Sequence, residues 1–240
     1  MKLVISQPMF FPWIGFFEQI KLCDIYIHYN DVQYSKGGFT NRVQVKSPDG
    51  IRWLTVPLQN LRLGQAIDQV QINNRQDWRK GHYDLLRLCY ERAPCYGEMI
   101  KVVDAVYSRD WELIDDLSQA TLDAICNFFG LSERKVFVNI KELNVDGFGS
   151  ERVLATALKV SADSYITGHG AINYLDHGMF EKANVRVEYM NYQKTPYPQL
   201  YGEFVPYVSI LDLIANVGER GRDLINSGTI CWKEFVNERK

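Results

Sequence analysis

Residues 2–29 decide the fold, and they read KLVISQPMFFPWIGFFEQIKLCDIYIHY. Residues 2–6 are a short apolar run that ends before a proline, which is typical of a buried parallel strand. A helical spacing of apolar residues follows at 12–22, with Pro12 in the first turn, and residues 25–29 are again a strand. A strand, a loop containing Gly15, a helix and a second strand make one right-handed crossover unit. The start of the chain therefore predicts a parallel sheet.

Strands and helices alternate along the rest of the chain. Gly130 stands where a helix end favours a left-handed residue, and Ser150 is placed to cap the next helix. This alternation predicts an α/β fold with a largely parallel sheet flanked by helices, and a helical C-terminal part. We expect residues 1–240 to form one compact domain, in which residues 77–130 could make a helical subdomain. We predict strands at 52–58, 69–72, 135–140, 164–167 and 185–189, helices at 77–90, 96–107, 111–129, 150–160 and 208–217, and loops at 35–50 and 191–207.

The composition is that of a globular protein near neutrality. Of the 240 residues, 46% are hydrophobic and 23% are charged, and the net charge is −2. Such a balance gives no general attraction to nucleic acid or to an anionic membrane surface. No apolar run approaches the ~18 residues of a membrane helix and no signal peptide is visible, so we expect a cytoplasmic protein without membrane insertion. The five cysteines are scattered and odd in number, which predicts reduced thiols, and no ligand spacing predicts a metal site.

The first candidate site is the loop between the first strand and the first helix, which carries Gln7, Pro8, Trp13 and Gly15. Ligands of open α/β sheets bind at the carboxyl ends of strands, where this loop begins. Gly15 would let a ligand approach the start of the helix, where free N–H groups favour anions. In the alternative interpretation, the aromatic side chains of this loop only cover the sheet as a hydrophobic plug.

The second candidate site follows the second strand, at residues 30–46. This stretch combines an acid, three bases, several amides and two glycines, which is the chemistry of a clamp for phosphate or carboxylate. The alternative is an ordinary solvated loop. Its candidate residues are Asp31, Gln33, Lys36, Asn41, Arg42 and Lys46.

Two further stretches could contribute to the same site. Gly168 and His169 follow a predicted strand and precede Tyr174. A histidine can act as acid or base near neutral pH, although a lone histidine is also a common structural residue. Tyr197 and Gln199 lie in an aromatic stretch that could stack on a sugar or a base, or cover the core. No phosphate-binding loop, dinucleotide fingerprint or catalytic serine elbow is present in the sequence.

With these residues in place, the chain resembles the WbqC-like family. The resemblance is most specific near the start, in Ile5-Ser6-Gln7-Pro8 and in the run from Phe11 to Phe17 that contains Pro12-Trp13-Ile14-Gly15. It spans nearly the whole chain. The other matching motifs are at 30–36, 41–42, 53–57, 78, 82, 164–168, 174–175, 197–199, 204–213 and 216.

This resemblance implies a role in making an unusual sugar of a bacterial surface polysaccharide, namely lipopolysaccharide O-antigen. The opening unit is also similar to nucleotidyltransferase-like (Rossmann-like) folds such as pantothenate synthetase, which activates a carboxylate with ATP. The His-x-Gly-His signature of those enzymes would fall near Pro12 and Gly15, where this chain has no histidine. A shared fold does not transfer a function.

We therefore predict the transfer of an acyl or aminoacyl group to the amine of a nucleotide-linked aminosugar, by a transferase or an ATP-dependent ligase. ATP or an acyl donor would be the co-substrate. Asp31, His82 and Lys36 are the candidate catalytic residues, with Asp31 or His82 accepting the proton of the amine. In the alternative, the chain is a non-catalytic sugar-nucleotide-binding or assembly protein of the same pathway. Either protein could be a homo-oligomer.

Overall fold

The computed structural model describes residues 1–238, which form ten strands and eight α-helices joined by loops and one-turn helices. In chain order these elements are β1 (Lys2–Ser6), α1 (Ile14–Leu22), β2 (Ile25–His28), β3 (Arg42–Ser47), β4 (Gly50–Thr55), β5 (Leu58–Gln59), β6 (Gln71–Ile72), α2 (Trp78–Tyr90), α3 (Tyr96–Tyr107), α4 (Ile114–Phe129), β7 (Val136–Asn139), α5 (Gly149–Lys159), β8 (Ser164–Thr167), α6 (His177–Lys182), β9 (Arg186–Asn191), α7 (Ile210–Val217), β10 (Gly228–Cys231) and α8 (Trp232–Asn237).

The main sheet has six strands in the order β10-β9-β8-β1-β2-β7. β9 and β10 run antiparallel, and all the other neighbours in this sheet are parallel. This arrangement confirms the predicted α/β fold with a largely parallel sheet. Two small antiparallel pairs, β3 with β4 and β5 with β6, lie outside it.

Four neighbouring strands end at the same edge of the main sheet. Ser6 of β1 pairs with His28 of β2, which pairs in turn with Asn139 of β7. On the other side of β1, Val4 pairs with Ile166, so β8 ends beside it. We call this the carboxyl edge, and it is where ligands of open α/β sheets bind.

Both faces of the sheet are covered, which is why its central strands are almost continuously apolar. Val4 and Ile166 belong to one buried cluster, together with residues of α1–α4, α7 and the β3–β4 hairpin. The adjacent residues Leu3 and Tyr165 belong to a second cluster with residues of α5, α6 and α8. The alternation follows from the two-residue period of a strand. The helices between residues 77 and 130 therefore share their core with one face of the sheet.

The β3–β4 hairpin lies where the sequence predicts a loop at residues 35–50. β3 pairs with β4 from Arg42 opposite Thr55 to Ser47 opposite Gly50. Val43 and Val45 are buried and alternate with polar residues, which is the pattern of a strand. The prediction of a loop was wrong for residues 42–47, which form β3. Their alternation of buried and polar residues is short, and the neighbouring glycines and charged residues are typical of a loop.

Of the two residues expected to end or cap a helix, Gly130 is confirmed and Ser150 is not, and the helices predicted at 111–129 and 208–217 begin later, at Ile114 and Ile210. Gly130 closes α4 with a φ of 62°, as the left-handed position requires. α5 begins at Gly149, so Ser150 is not its cap, and the Ser150 hydroxyl donates instead to the Tyr174 carbonyl at 3.1 Å. The sequence does not predict the short elements α6, α8 and β10. No helix within residues 1–238 is long and apolar enough to span a membrane.

Candidate functional site

The three loops proposed as a site all begin at the carboxyl edge. Gln7 follows β1 and is exposed, and Gly168 follows β8, the neighbour of β1. Asp31 lies just beyond the end of β2, the other neighbour of β1. Adjacent parallel strands therefore direct these loops to the same side of the molecule.

Asp31 is tied to α5 by Arg152. The Arg152 Nη1 and Nη2 atoms donate to the two Asp31 carboxylate oxygens at 3.0 and 2.6 Å. The guanidinium also lies 5.1 Å from the centre of the Tyr29 ring and donates from Nε to the Val145 carbonyl. Two parallel hydrogen bonds make a charge-assisted fork. Asp31 therefore fixes α5 against the end of β2.

A buried polar cluster lies between the ends of β2 and β7. Asn30 follows β2, and Asp115 lies in the first turn of α4. The Asn30 Nδ2 atom donates to Asp115 Oδ2 at 2.6 Å. Lys141 follows β7, and its ammonium forms an ion pair with Asp68 from the one-turn helix Ile67–Gln69. The pKa of Lys141 is raised, mainly by its hydrogen bond with Asp68 and further by Asp31 and Asp115. We call Asn30, Asp68, Asp115 and Lys141 the Asn30 cluster.

Two acceptors of the Asn30 cluster have no donor. Within residues 1–238, Asn30 Oδ1 and Asp68 Oδ1 are buried without a hydrogen-bond partner, whereas Asp115 interacts with Gln119 as well as with Asn30. Asp115 is 4% exposed, and burial raises its pKa. Unpaired buried acceptors are costly to a fold and concentrate at functional sites. The cluster can therefore accept hydrogen bonds from an ammonium or a hydroxyl group.

The ammonium of Lys141 already occupies part of this cluster. Its side chain is 59% exposed, whereas that of Asp68 is 8% exposed, so Lys141 reaches inward from the surface. Across the described part of the chain, no group of three or more His, Cys, Asp and Glu side chains is arranged to hold a metal ion. The geometry already accommodates one ammonium group, that of Lys141.

Arg42 and Asn41 hold the chain's own backbone. The Arg42 Nη2 and Nε atoms donate to the carbonyls of Gly37 and Gly38 at 2.5 and 3.4 Å, and the guanidinium lies 4.2 Å from the centre of the Trp53 ring. Asn41 donates from Nδ2 to the Val56 carbonyl at 2.9 Å. These bonds shape the turn before β3. Gln33 and Lys36 lie in this region with exposed side chains.

Lys46, predicted to help bind phosphate or carboxylate, has its ammonium hydrogen-bonded within the fold. It lies in β3, is only 4% exposed, and its ammonium donates to Gln199 Oε1 at 3.2 Å and to the carbonyls of Gly202 and Glu203. These acceptors belong to the irregular segment between β9 and α7. Lys46 therefore anchors that segment to the hairpin.

Tyr197 and Gln199 belong to the same interior network, which is centred on Asp212 of α7. Gln199 Nε2 donates to the Tyr197 hydroxyl at 3.1 Å, and that hydroxyl donates to Asp212 Oδ1 at 2.9 Å. Asn216 Nδ2 donates to the same oxygen at 3.3 Å. Burial raises the pKa of Asp212 to about 6. We call Lys46, Tyr197, Gln199, Asp212 and Asn216 the Asp212 network, and its bonds are internal to the fold.

His82, predicted as a base for a substrate amine, has both ring nitrogens hydrogen-bonded within the fold. Its ring is 5% exposed, with Nε2 2.9 Å from the Thr55 carbonyl and Nδ1 2.7 Å from the Tyr107 hydroxyl. A carbonyl can only accept, so Nε2 carries the proton and Nδ1 accepts from Tyr107. Burial lowers the pKa of His82 to about 4. The ring is a neutral structural link between α2, α3 and β4.

His169 and Tyr174 flank the end of β8 in different ways. His169 Nε2 donates to the Met190 carbonyl at 2.7 Å, and its ring packs 5.1 Å from that of Tyr192. Tyr174 is exposed near the start of α5. Of the two, only Tyr174 offers most of its side chain to solvent.

Trp13 lines an apolar cavity and also packs against Gly15. The cavity has a volume of about 240 Å³ and is lined by Met9, Pro12, Trp13, Phe39, Val43 and Tyr207. A Cβ atom on Gly15 would overlap the Trp13 indole, which folds back over the start of α1. The space predicted to admit a ligand to this helix start is therefore filled by the indole. Pro8, beside this loop, is buried.

Sequence reasoning missed four residues of the carboxyl edge: Asp68, Asp115, Lys141 and Arg152. Asn30 lies inside a quoted motif but was not selected as a site residue. The rule that polar residues after a strand face the site would have found Lys141, which follows β7. Asp68 and Asp115 follow no strand of the main sheet, so no local pattern indicates them.

Two comparisons with known proteins find a match that covers most of the chain, namely a protein family and a related protein. The model of the WbqC-like protein family matches residues 7–223. Uncharacterized protein Rv1507c of Mycobacterium tuberculosis (strain ATCC 25618 / H37Rv) is 33% identical over 227 residues, which cover 93% of this chain and 97% of that protein. No solved structure matches the chain. The matched residues make up nearly all of the sequence and include Gln7, the Asn30 cluster, the Asp212 network and the apolar cavity. The chain therefore belongs to the WbqC-like protein family.

Proposed function

We propose that the protein helps to make an unusual sugar of a bacterial surface polysaccharide, by transferring an acyl or aminoacyl group to the amine of a nucleotide-linked aminosugar. The observation that carries this proposal is the Asn30 cluster, in which the buried Asp68 carboxylate at the carboxyl edge already holds the ammonium of Lys141, within the electrostatic influence of Asp115. The ammonium of an aminosugar is the same chemical group. It can take the place of Lys141 and donate to the acceptors that now lack a partner.

The same cluster supplies a proton acceptor. An ammonium must lose a proton before its nitrogen can attack, and a base is most effective when its pKa is close to the working pH. Burial raises the pKa of Asp115 toward that range. The freed amine then forms a bond to the acyl carbonyl carbon. The bond from that carbon to its thioester sulfur or acyl-phosphate oxygen breaks, and the leaving group takes the electron pair and the second amine proton.

One observation favours the second candidate, a sugar-nucleotide-binding protein without catalysis. His82, Lys46 and Arg42 are all occupied by contacts within the fold. A site that binds an amine through the Asn30 cluster but lacks a free acid–base pair would bind the aminosugar nucleotide and leave it unchanged. Both candidates use the same carboxylates, so one experiment can separate them.

The test mixes the full chain with a nucleotide-linked aminosugar and, in turn, an acyl thioester, an acyl phosphate or a carboxylic acid with ATP. Mass spectrometry follows the acylated sugar nucleotide, and thermal melting follows binding. A ligand at 100 times its dissociation constant should stabilise the fold by roughly 2.7 kcal/mol. Product formation supports the transferase, binding without product supports the binding protein, and the absence of both would refute the proposal.

Asp115→Asn tests the proposed base. Asparagine keeps an acceptor for Asn30 but cannot take a proton, so we expect product formation to fall at least tenfold, within the range of a lost general base. The matched control is Asp84→Asn on exposed α2, where Asp84 only pairs with Lys80 and Arg87. Equal activity of Asp115→Asn and the control would remove Asp115 from the mechanism. An N-acetylated sugar nucleotide should bind more weakly than the free amine, because it brings no ammonium.

A further inference from the structure

The apolar cavity of the loop after β1 has a floor and a rim. Val43 and Pro12 are buried and form the floor, whereas Phe39 and Tyr207 are partly exposed and form the rim. The Trp13 ring stands 5.3 Å from that of Tyr207 and closes one wall. All six lining residues have apolar or aromatic side chains, so the cavity fits a hydrocarbon and offers little to a polar ligand.

A positive charge lies at the rim. The Lys194 ammonium stands 5.1 Å from the centre of the Tyr207 ring. It takes part in none of the ion pairs found within residues 1–238. An apolar cavity with a cation at its mouth complements a molecule that has a hydrocarbon tail and an anionic or carbonyl head.

We propose that this cavity binds the hydrocarbon part of a straight acyl chain of about six carbons, with its carboxyl carbon at the mouth beside Lys194. The length follows from volume, since an apolar cavity of about 150 Å³ binds benzene and this one is larger. The inference rests on the proposed function and deepens it, because it selects an acyl donor over an aminoacyl donor. The ammonium of an aminoacyl group would face a mostly apolar lining and the like charge of Lys194.

The loop that lines the cavity also links it to the amine site. It leaves the carboxyl edge at the end of β1, and the Asn30 cluster begins at the end of the adjacent β2. Donor and acceptor would therefore approach from neighbouring strand ends.

Isothermal titration of the full chain with straight-chain carboxylates tests the proposal directly. Each buried methylene should strengthen binding about fourfold, so the dissociation constant should fall from butanoate to pentanoate to hexanoate. Hexylammonium should bind more weakly than hexanoate, because its charge would face Lys194. An affinity that does not depend on chain length, or one that favours hexylammonium, would overturn the assignment.

Two variants locate the binding in this cavity. Val43→Phe fills the floor and should abolish hexanoate binding, whereas Val136→Phe on exposed β7 makes the same change elsewhere and should preserve it. Lys194 is exposed, so Lys194→Met should leave the fold intact and serves even if Val43→Phe fails to fold. It should weaken hexanoate about twofold to fivefold and leave hexanol unchanged. Hexanoate binding that both variants leave untouched would refute the site.

These titrations contain neither aminosugar nor activated donor, so they are independent of turnover. If hexanoate binds as stated but no acyl transfer occurs, the proposed transferase activity fails and the cavity assignment stands. If transfer occurs only from acetyl or aminoacyl donors and hexanoate does not bind, the cavity assignment fails alone.

Discussion

Asp212→Asn should change the pH dependence of stability more than any other single substitution in the Asp212 network. Asp212 is 1% exposed, and within residues 1–238 its Oδ2 atom has no hydrogen-bond partner. Desolvation by burial therefore favours the protonated carboxyl and raises its pKa from 3.8 to about 6 in the fold, despite the hydrogen bond from Tyr197. In the unfolded chain, the pKa of Asp212 keeps its ordinary value of 3.8. Between pH 3.8 and about 6, the folded chain therefore binds more protons at this carboxyl than the unfolded chain does.

The size and sign of the effect follow from linkage. Each pKa unit corresponds to about 1.36 kcal/mol, and the difference between about 6 and 3.8 gives about 3 kcal/mol. Because the folded pKa is the higher one, this stability is fully present below about pH 4 and is lost as the pH rises through about 6. Above about pH 7 the loss is complete and the curve is flat.

Urea denaturation of both proteins, followed by tryptophan fluorescence at half-unit steps from pH 4 to pH 8, measures the effect. His28 and His82, whose pKa values burial lowers to about 4, titrate in both proteins, so their contribution cancels in the difference. The free energy of unfolding of Asp212→Asn minus that of the wild type should rise by about 3 kcal/mol across this range. Exposed Asp84→Asn is the control. A difference that stays constant with pH would refute the reasoning.

Two further substitutions test contacts that the structure assigns to the fold. Gly15→Ala should lower the free energy of unfolding by about 1–3 kcal/mol, because its Cβ overlaps the Trp13 indole. Gly81→Ala, which has open space in α2, should instead stabilise by roughly 0.5–1 kcal/mol, and equal melting of the two variants would contradict the packing. Arg42→Lys should lower stability by about 1 kcal/mol without any ligand, because lysine cannot reproduce two bonds to the Gly37–Gly38 turn and the contact with Trp53. Arg62→Lys, at an exposed position, is the control, and a melting temperature unchanged in Arg42→Lys would show that the guanidinium does not hold the turn.

The sequence predicts the main sheet well because its signals are local. The apolar run before Gln7 and the helical spacing around Phe17 each lie within a few residues, and the structure has β1 and α1 there. The rule that polar residues follow strand ends also places Asp31 and Gly168 at one edge. This rule works without knowledge of side-chain contacts, because it depends only on which strands are neighbours in the sheet.

Side-chain roles are harder to predict because they depend on distant partners. Both ring nitrogens of His82 are hydrogen-bonded, to Thr55 and Tyr107, which lie 27 and 25 residues away along the chain. Asn30 meets Asp115 across 85 residues. Lys46 looks like a solvated cation in the sequence, and only the fold of the segment after β9 buries it. Such contacts leave no periodic pattern for sequence reasoning to detect.

Buffer choice matters for any protein that carries the Asn30 cluster. Tris is itself a primary amine, so under the proposed function it would compete with an aminosugar for the same unpaired oxygens at the concentrations of common purification buffers. Weak substrates would then seem not to bind, and melting temperatures would look artificially high. Tertiary-amine buffers such as HEPES, which are bulky at nitrogen, leave those oxygens available, and the first ligand screens belong in them.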